Sequence, residues 1–349
     1  MMRYIGVDVG KTRCRAAIMN EKGTLEKEFF FENNNKGITS LLSTLNTQDK
    51  VVMESTGNLW LNIYDTLDQR NIKVVLANPL NTKAIASAKI KTDKLDARIL
   101  AHLLRADLIA ESYVPEGNIR EMRALVRHRL SLVQMRTMLK NKVHAIVDKY
   151  GYRCEYSDMF GKAGIQWLRA QEMNEIDCLL VENYLSLLDS VKVQIGRVDD
   201  AIKEKACEDE DVCLLLSLTG MGVYTALLVR SEVGSIGRFS DYKKLVSWAG
   251  LAPSVYQSGN VEFYGRITKR GSPLLRWALV EDARIAVRHD ERLRAFYLRV
   301  AKRHGDQKAA VAVACKMLKI VWFMLTRREP YESADLRRYG EKLKSIDIK

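Results

Sequence analysis

Hydrophobic and polar residues along the first hundred positions take turns in two distinct periods. Residues 4–9 and 13–19 predict two strands, and Asn20-Glu21-Lys22-Gly23 predicts the turn into a third over 24–32. Residues 37–45 predict a helix, and the continuous run 50–54 predicts a buried strand. An amphipathic helix over 59–70, a short strand over 72–77 closed by Asn78-Pro79, and a helix over 95–109 complete the series. Three strands followed by strand–helix units predict a mixed α/β sheet flanked by helices.

Near Pro115 the period changes. Met122, Leu125, Leu132, Leu139, Val143 and Ile146 recur at helical spacing, accompanied by Arg120, Arg123, Arg127, Arg129, Arg136, Lys140 and Lys142. Gly151 ends that run, and after a polar stretch a second one follows through Ile176, Leu180, Leu187, Val191, Ile195, Val198 and Ile202. Two long amphipathic segments predict an antiparallel helical hairpin or coiled coil. The charged run 204–211 reads as a joint, and from Val212 the pattern is mostly helical with Gly-rich turns and a basic end.

Charge sharpens this picture. The 349 residues carry 56 Lys and Arg against 43 Asp and Glu, a net +13, which favours a polyanionic partner through counterion release. With 28% charged and 47% hydrophobic residues, neither a wholly disordered chain nor a membrane protein is expected. Cysteines at 14, 154, 178, 207, 213 and 315 form no C-x-x-C pair, so reduced cytoplasmic thiols are expected rather than disulfides or a zinc knuckle. Asp8 interrupts the position where a signal peptide would need its apolar core, and the apolar run 311–325 contains Lys316 and Lys319. That run predicts a buried helix, and no membrane partner is expected.

The chemistry begins with carboxylates. Asp8 ends the first predicted strand in Ile5-Gly6-Val7-Asp8, and Glu54 ends another in Val51-Val52-Met53-Glu54. Asp93 and Asp96, in Lys91-Thr92-Asp93-Lys94-Leu95-Asp96-Ala97-Arg98, are three apart at a helix start and share one face. Four carboxylates meeting at one sheet edge need hard cations, and oxygen-only ligands suit Mg²⁺ or Mn²⁺. Two such ions about 4 Å apart would serve phosphodiester chemistry. Taken singly, each residue has a simpler reading: a turn at Asp8, a helix cap at Asp93, an ion pair at Asp96. The Asp-x-Gly opening is also that of actin-like and sugar-kinase phosphate loops, but no second Asp-Gly loop or Gly-Gly adenosine motif follows.

Further along, residues 214–226 read as helix, Gly220-Met221-Gly222 turn, helix, the shape of a helix-hairpin-helix that offers backbone N–H groups to phosphates. A tight packing turn is the alternative. Trp248-Ala249-Gly250-Leu251-Ala252-Pro253 and Gly265-Arg266-Ile267-Thr268-Lys269-Arg270-Gly271-Ser272-Pro273 follow, and Gly271 and Pro273 predict a helix start behind a cluster of cations. Arg266, Lys269 and Arg270 are the candidate phosphate contacts, against the alternative of a solvated basic loop. A serine can act as nucleophile when cations hold the phosphate, and residue types alone leave Ser254, Ser258 and Ser272 equal.

Taken in order, G-V-D-V-G, M-E-S-T-G, K-T-D-K-L-D-A-R, L-T-G-M-G, W-A-G-L-A-P, Q-S-G and G-R-I-T-K-R-G-S cover the chain from Ile5 to about Leu325. In these motifs the chain resembles DEDD transposases of the IS-one-ten insertion-sequence family, relatives of the Piv-type DNA invertase. The one departure is the Met of Gly-Met-Gly, where the family often has another apolar residue. The resemblance implies a RuvC-like RNase H fold over 1–114, a coiled-coil helical hairpin over 115–206 and a mostly helical C-terminal transposase domain over 207–340. It makes Asp8, Glu54, Asp93 and Asp96 the metal-binding acids, and through Q-S-G it makes Ser258 the nucleophile that joins covalently to DNA. Ser254 lies in the variable spacer after A-G-L-A-P.

As partners the resemblance implies double-stranded DNA, at element ends and target, and a noncoding guide RNA made from the element's own end. It further implies a homo-oligomer, a tetramer of two dimers, whose active site combines the RuvC-like domain of one subunit with the serine domain of another. The cytoplasm of a prokaryote, at the nucleoid when DNA is bound, is the expected location. Two other functions fit the residues: a structure-selective RuvC-like nuclease that uses water, and a nucleic-acid-binding regulator whose acids are structural.

Overall fold

A computed structural model describes residues 2–54, 57–79, 82, 93–258 and 261–346, with only the backbone of residues 93–95, 258, 261–262 and 264. The chain packs as two compact units, Met1–Val114 and Pro115–Lys349.

The first unit is a mixed sheet. Its strands are β1 (Arg3–Asp8), β2 (Arg13–Asn20), β3 (Leu25–Glu32), β4 (Lys50–Glu54) and β5 (Lys73–Ala77), arranged β3-β2-β1-β4-β5. β1, β2 and β3 pair antiparallel, whereas β1, β4 and β5 run parallel. Val51, Val52 and Met53 are all fully buried, as a parallel strand covered on both faces requires. β3 exposes Glu26, Lys27 and Glu32, charges suited to an edge strand that must not pair further. One sheet face, with Ile5, Val7, Val51 and Met53, packs on α1 (Asn35–Leu42) and α2 (Leu61–Asp68) through Ile38, Leu41, Ile63 and Leu67. On the opposite face Val52 and Ala77 meet Leu100 of α3 (Asp93–Arg105).

The second unit opens with a helical hairpin. α4 (Gly117–Lys149) and α6 (Glu175–Cys207) span 33 residues each, about 50 Å at 1.5 Å per residue. They run antiparallel, since Arg129 pairs with Asp199 and Lys149 Nζ meets Asp177 Oδ2 at 2.6 Å near the far end. α5 (Lys162–Arg169) seats Leu168 among Val143, Val147, Val181 and Leu185 at that end. This short helix lies in the polar stretch between the two long segments.

At the hairpin's base Ile119, Val126 and Ile202 enter the core of the C-terminal helices. These are α7 (Glu210–Leu215), α8 (Val223–Val233), α9 (Tyr242–Trp248), α10 (Pro273–His289), α11 (Glu291–His304), α12 (Asp306–Arg327) and α13 (Leu336–Ile346). Several starts are fixed by N-caps: the Asn174, Asp209, Asp241, Ser272 and Asp290 side chains each accept a backbone N–H of the helix they open. The region is mostly helical, as its pattern predicts, with one addition at 253–267. Those residues form an antiparallel hairpin of β6 (Pro253–Ser258) and β7 (Val261–Ile267).

By length and composition α12 could cross a membrane. However, Val313, Ala314, Met317, Leu318 and Val321 are buried in the helical core, and Lys316 and Lys319 lie over the Phe296 and Tyr242 rings. It is a core helix.

Candidate active site

At the acidic end of the first unit, register does the assembling. Val7 of β1 stands opposite Met53 of β4, so Asp8 and Glu54 close adjacent parallel strands side by side, about 4.8 Å apart along the sheet. Both are half-buried, on the face that α3 covers. The helix comes so close because Gly6 has no side chain. A Cβ there would lie 2.0 Å from the Ala97 carbonyl oxygen and 2.6 Å from the Ala101 amide nitrogen. At its other end α3 carries Arg105, whose Nη1 reaches the Glu21 carbonyl 3.5 Å away, past the end of β2 remote from Asp8. The N-terminal turn of α3, with Asp93 and Asp96, therefore lies toward Asp8 and Glu54. Asp96 is half-buried; the side chain of Asp93, like Ser55, Thr56 and the Lys91-Thr92 part of its motif, lies outside the described residues.

A second device orients the same helix. Glu28 of β3 accepts Arg98 Nε and Nη2 at 3.2 and 2.8 Å and Arg15 Nε at 3.2 Å. Burial pushes the Glu28 carboxyl up, but these two guanidiniums outweigh it and hold the group below the usual carboxylate range. Arg15 is the β2 partner of Asp8, and Arg98 follows Asp96 by two residues, so the trio ties helix to sheet beside the acids. Cys14, close to Asp8, is buried, and burial together with the aspartate charge pushes its thiol up to about 11. It stays protonated and offers no thiolate. Among the described residues no group of three or more His, Cys, Asp or Glu side chains is gathered in metal-holding geometry.

In the second unit, the two motifs around residues 250 and 270 interlock. Gly250, at φ +71°, would drive a Cβ to 2.1 Å from the Arg270 carbonyl, and Gly271, at φ +69°, to 2.2 Å from the Trp248 carbonyl. Lys269 and Thr268 donate backbone N–H groups to the Gly250 and Ala252 carbonyls at 3.1 and 3.0 Å. Arg276 then binds the Ala249, Arg270 and Gly271 carbonyls at 3.1, 2.5 and 3.2 Å. This clasp leaves the Arg266, Lys269 and Arg270 side chains exposed.

Of the three serines, Ser272 caps α10, accepting the Leu275 N–H at 3.3 Å, and Ser254 donates to the Arg266 carbonyl at 3.1 Å. Ser258 closes β6 opposite Val261; its side chain and Gly259 of the same motif lie outside the described residues.

The Gly-x-Gly turn divides its two glycines. Gly220, at φ +92°, is pressed against α10, where a Cβ would lie 2.4 Å from the Asp282 carbonyl. That is a packing contact. Gly222 opens α8 with nothing within 4 Å of its Cβ position, and the Thr225 hydroxyl accepts its N–H at 3.0 Å. Three arginines of α4 are engaged within the second unit. Arg123 donates to the Ser231 carbonyl at 2.8 Å, Arg127 pairs with Glu232 at 2.8 Å, and Arg129 pairs with Asp199.

Sequence periodicity could not find Gly6, Glu28, Arg15 or Arg276 as parts of these sites. The one local signal was a glycine inside a strand, which often marks close backbone approach.

Two family models match separate stretches of the chain. A family described as Transposase, of the DEDD type of IS110, matches residues 5–152, and the Transposase IS116/IS110/IS902 family matches 212–298. The transposase for insertion sequence element IS1111A of Coxiella burnetii is 30% identical over 297 residues, covering 80% of this chain and 79% of that protein. The transposase for insertion sequence element IS1328 of Yersinia enterocolitica is 26% identical over 93% of this chain and 96% of its own length. A probable family 20 transposase of Pseudomonas aeruginosa is 27% identical over 69% and 75%. With an acidic sheet edge in the first unit and the interlocked motifs in the second, the chain belongs to the IS116/IS110/IS902 family of transposases, enzymes that cut and join DNA.

Proposed function

We propose that this insertion-sequence transposase cuts and rejoins DNA through Ser258, assisted by divalent metal held at Asp8, Glu54, Asp93 and Asp96. The observation that carries the reading is the in-register closure of β1 and β4 by Asp8 and Glu54 under the N-terminal turn of α3. We read this unit as RuvC-like: three antiparallel strands, then two parallel ones, with acids ending β1 and β4, suit an RNase H fold. The donor set is all oxygen, because the Cys14 side chain packs with Ile5 and Val7 in the core on the opposite sheet face, and such a set fits Mg²⁺ or Mn²⁺. When bound there, the metal would neutralise charge developing on the scissile phosphate and on the leaving oxygen.

The chain's own residues do the rest. The Ser258 hydroxyl oxygen attacks phosphorus; its bond to phosphorus forms as the bond from phosphorus to the 3′ oxygen breaks. The serine proton is released and the leaving 3′ oxygen takes one up, which leaves a phosphoserine link and a free 3′ hydroxyl. A 3′ hydroxyl of the new partner reverses the step and frees Ser258. Arg266, Lys269 and Arg270, exposed beside the serine motif, hold phosphates, with the Gly222 end of the Gly220–Gly222 turn as a further contact. Ser258 is chosen over Ser254 and Ser272 on the Q-S-G motif of the resemblance; Ser254 and Ser272 have structural hydrogen bonds. The guide RNA and the tetramer of two dimers belong to the same proposal and rest on the resemblance.

The test is strand exchange on element-end DNA with and without chelator, using Asp8→Asn and Glu54→Gln. Each variant and full chelation should abolish product while DNA binding persists. Exchange surviving chelation would refute the metal assignment.

A further inference from the structure

The β6–β7 hairpin carries an aromatic pair that the chemistry above does not use. Tyr256 and Phe263 stand directly opposite each other in the antiparallel register, so their rings share one face. Both lie open: Tyr256 is 67% and Phe263 64% exposed. A two-stranded ribbon gains little from large apolar side chains left in water, and such exposure marks a binding surface more often than a packing one. Gly265 shapes the same face. A Cβ there would lie 2.4 Å from the Ser254 hydroxyl, which would have to move, and 3.5 Å from the Tyr256 ring, an ordinary contact.

The surroundings identify the occupant by charge. Arg266, Lys269 and Arg270 are all exposed within seven positions of Phe263, while the hairpin's one carboxylate, Glu262, sits opposite Gln257. Flat rings beside a short run of cations match a chain of bases joined by phosphates. They match an unpaired chain, because a duplex hides the faces of its bases against one another. Ser258 is two residues from Tyr256 along β6, roughly 7 Å by strand rise. We propose that Tyr256 and Phe263 form a stacking clamp for unpaired bases of a DNA strand, held beside the serine motif while its phosphates lie on Arg266, Lys269 and Arg270. The proposal rests on the chain being a DNA-joining transposase and does not require Ser258 to be the nucleophile. Stacking tolerates any base, so the clamp fixes position and leaves sequence choice to other contacts.

The probe is a single-stranded DNA oligonucleotide containing 2-aminopurine, whose fluorescence is quenched by stacking. It is titrated into the full chain carrying Ser258→Ala, with chelator present, so that binding is read without cutting. Quenching is expected on binding. Tyr256→Ala and Phe263→Ala should each weaken binding by about 5- to 100-fold and relieve the quenching, whereas Tyr256→Trp should retain both. Because both rings are exposed, circular dichroism of these variants should match the parent. Unchanged affinity and quenching in both alanine variants would overturn the clamp. So would ring-dependent binding seen only with duplex DNA or only with the matching RNA oligonucleotide. Sedimentation adds a further refutation: variants that dissociate an oligomer but bind the probe normally would make the face a protein interface. Loss of the clamp with DNA joining intact would remove this inference alone, whereas a working clamp in a protein that joins DNA without Ser258 would remove only the serine assignment.

Discussion

Replacing Gly6 by alanine tests whether close approach of α3 to β1 is what brings the acids together. The added methyl would sit 2.0 Å from the Ala97 carbonyl oxygen, whereas ordinary contact begins at 3.4 Å. Both obstacles, at Ala97 and Ala101, are backbone atoms of one helix, so no side-chain rotation relieves them. The helix must retreat by about 1.4 Å or tilt, and Asp96, the neighbour of Ala97, moves with it. Overpacking of this kind costs about 1–3 kcal/mol of stability. A displacement near 1 Å in a catalytic constellation costs on the order of 100-fold in rate. The assay pairs a urea midpoint with strand exchange on element-end DNA. Gly117→Ala is the control, since its methyl would meet only the Arg120 guanidinium at 4.0 Å. Gly6→Ala behaving like that control in both assays would refute the reasoning.

Three further outcomes follow from the same geometry. Glu28→Gln should lower stability by about 1–3 kcal/mol and slow exchange, because Arg98 and Arg15 lose the carboxylate that ties α3 to the sheet; equal stability and rate would deny that role. Ser272→Ala should cost about 1 kcal/mol through the lost cap of α10 yet still join DNA, as measured by unfolding and strand exchange together. Asp282 of α10 is buried, with the Thr225 hydroxyl and the Lys342 amine nearby, and burial pushes its carboxyl up to about 7. The unfolded carboxyl ionises near pH 4, so the unfolded chain releases this proton first and wild-type stability falls between about pH 4 and 7. The fall is at most about 4 kcal/mol. Asp282→Asn should remove that slope, and urea midpoints at pH 5 and 8 that change equally in both proteins would contradict it.

How much of this was visible in the sequence depends on how local each feature is. The strand–helix order of the first unit follows from periods that neighbouring residues set, and Asp8 and Glu54 stood out because each ends an apolar run. The β6–β7 hairpin escaped because none of its described side chains is buried: Val255, Tyr256 and Phe263 are exposed, so they show no inward-facing apolar alternation. α5 escaped for a similar reason, with Gly164 and Leu168 its only buried residues. The tie between Glu28 and Arg98 spans 70 positions and the clasp of Arg276 on Ala249 spans 27, distances that no periodicity reports. The roles of Arg123, Arg127 and Arg129 were equally hidden, since their partners Ser231, Glu232 and Asp199 lie far along the chain.

The central claim is that Ser258 carries the DNA strand between partners. It is tested most directly by incubating the protein with end-labelled element DNA, guide RNA and Mg²⁺, then resolving the products on a denaturing gel. The account predicts a protease-sensitive, slowly migrating covalent species that is absent from Ser258→Ala and present in Ser254→Ala and Ser272→Ala. Joined DNA from Ser258→Ala, with no covalent species in the parent reaction, would contradict it.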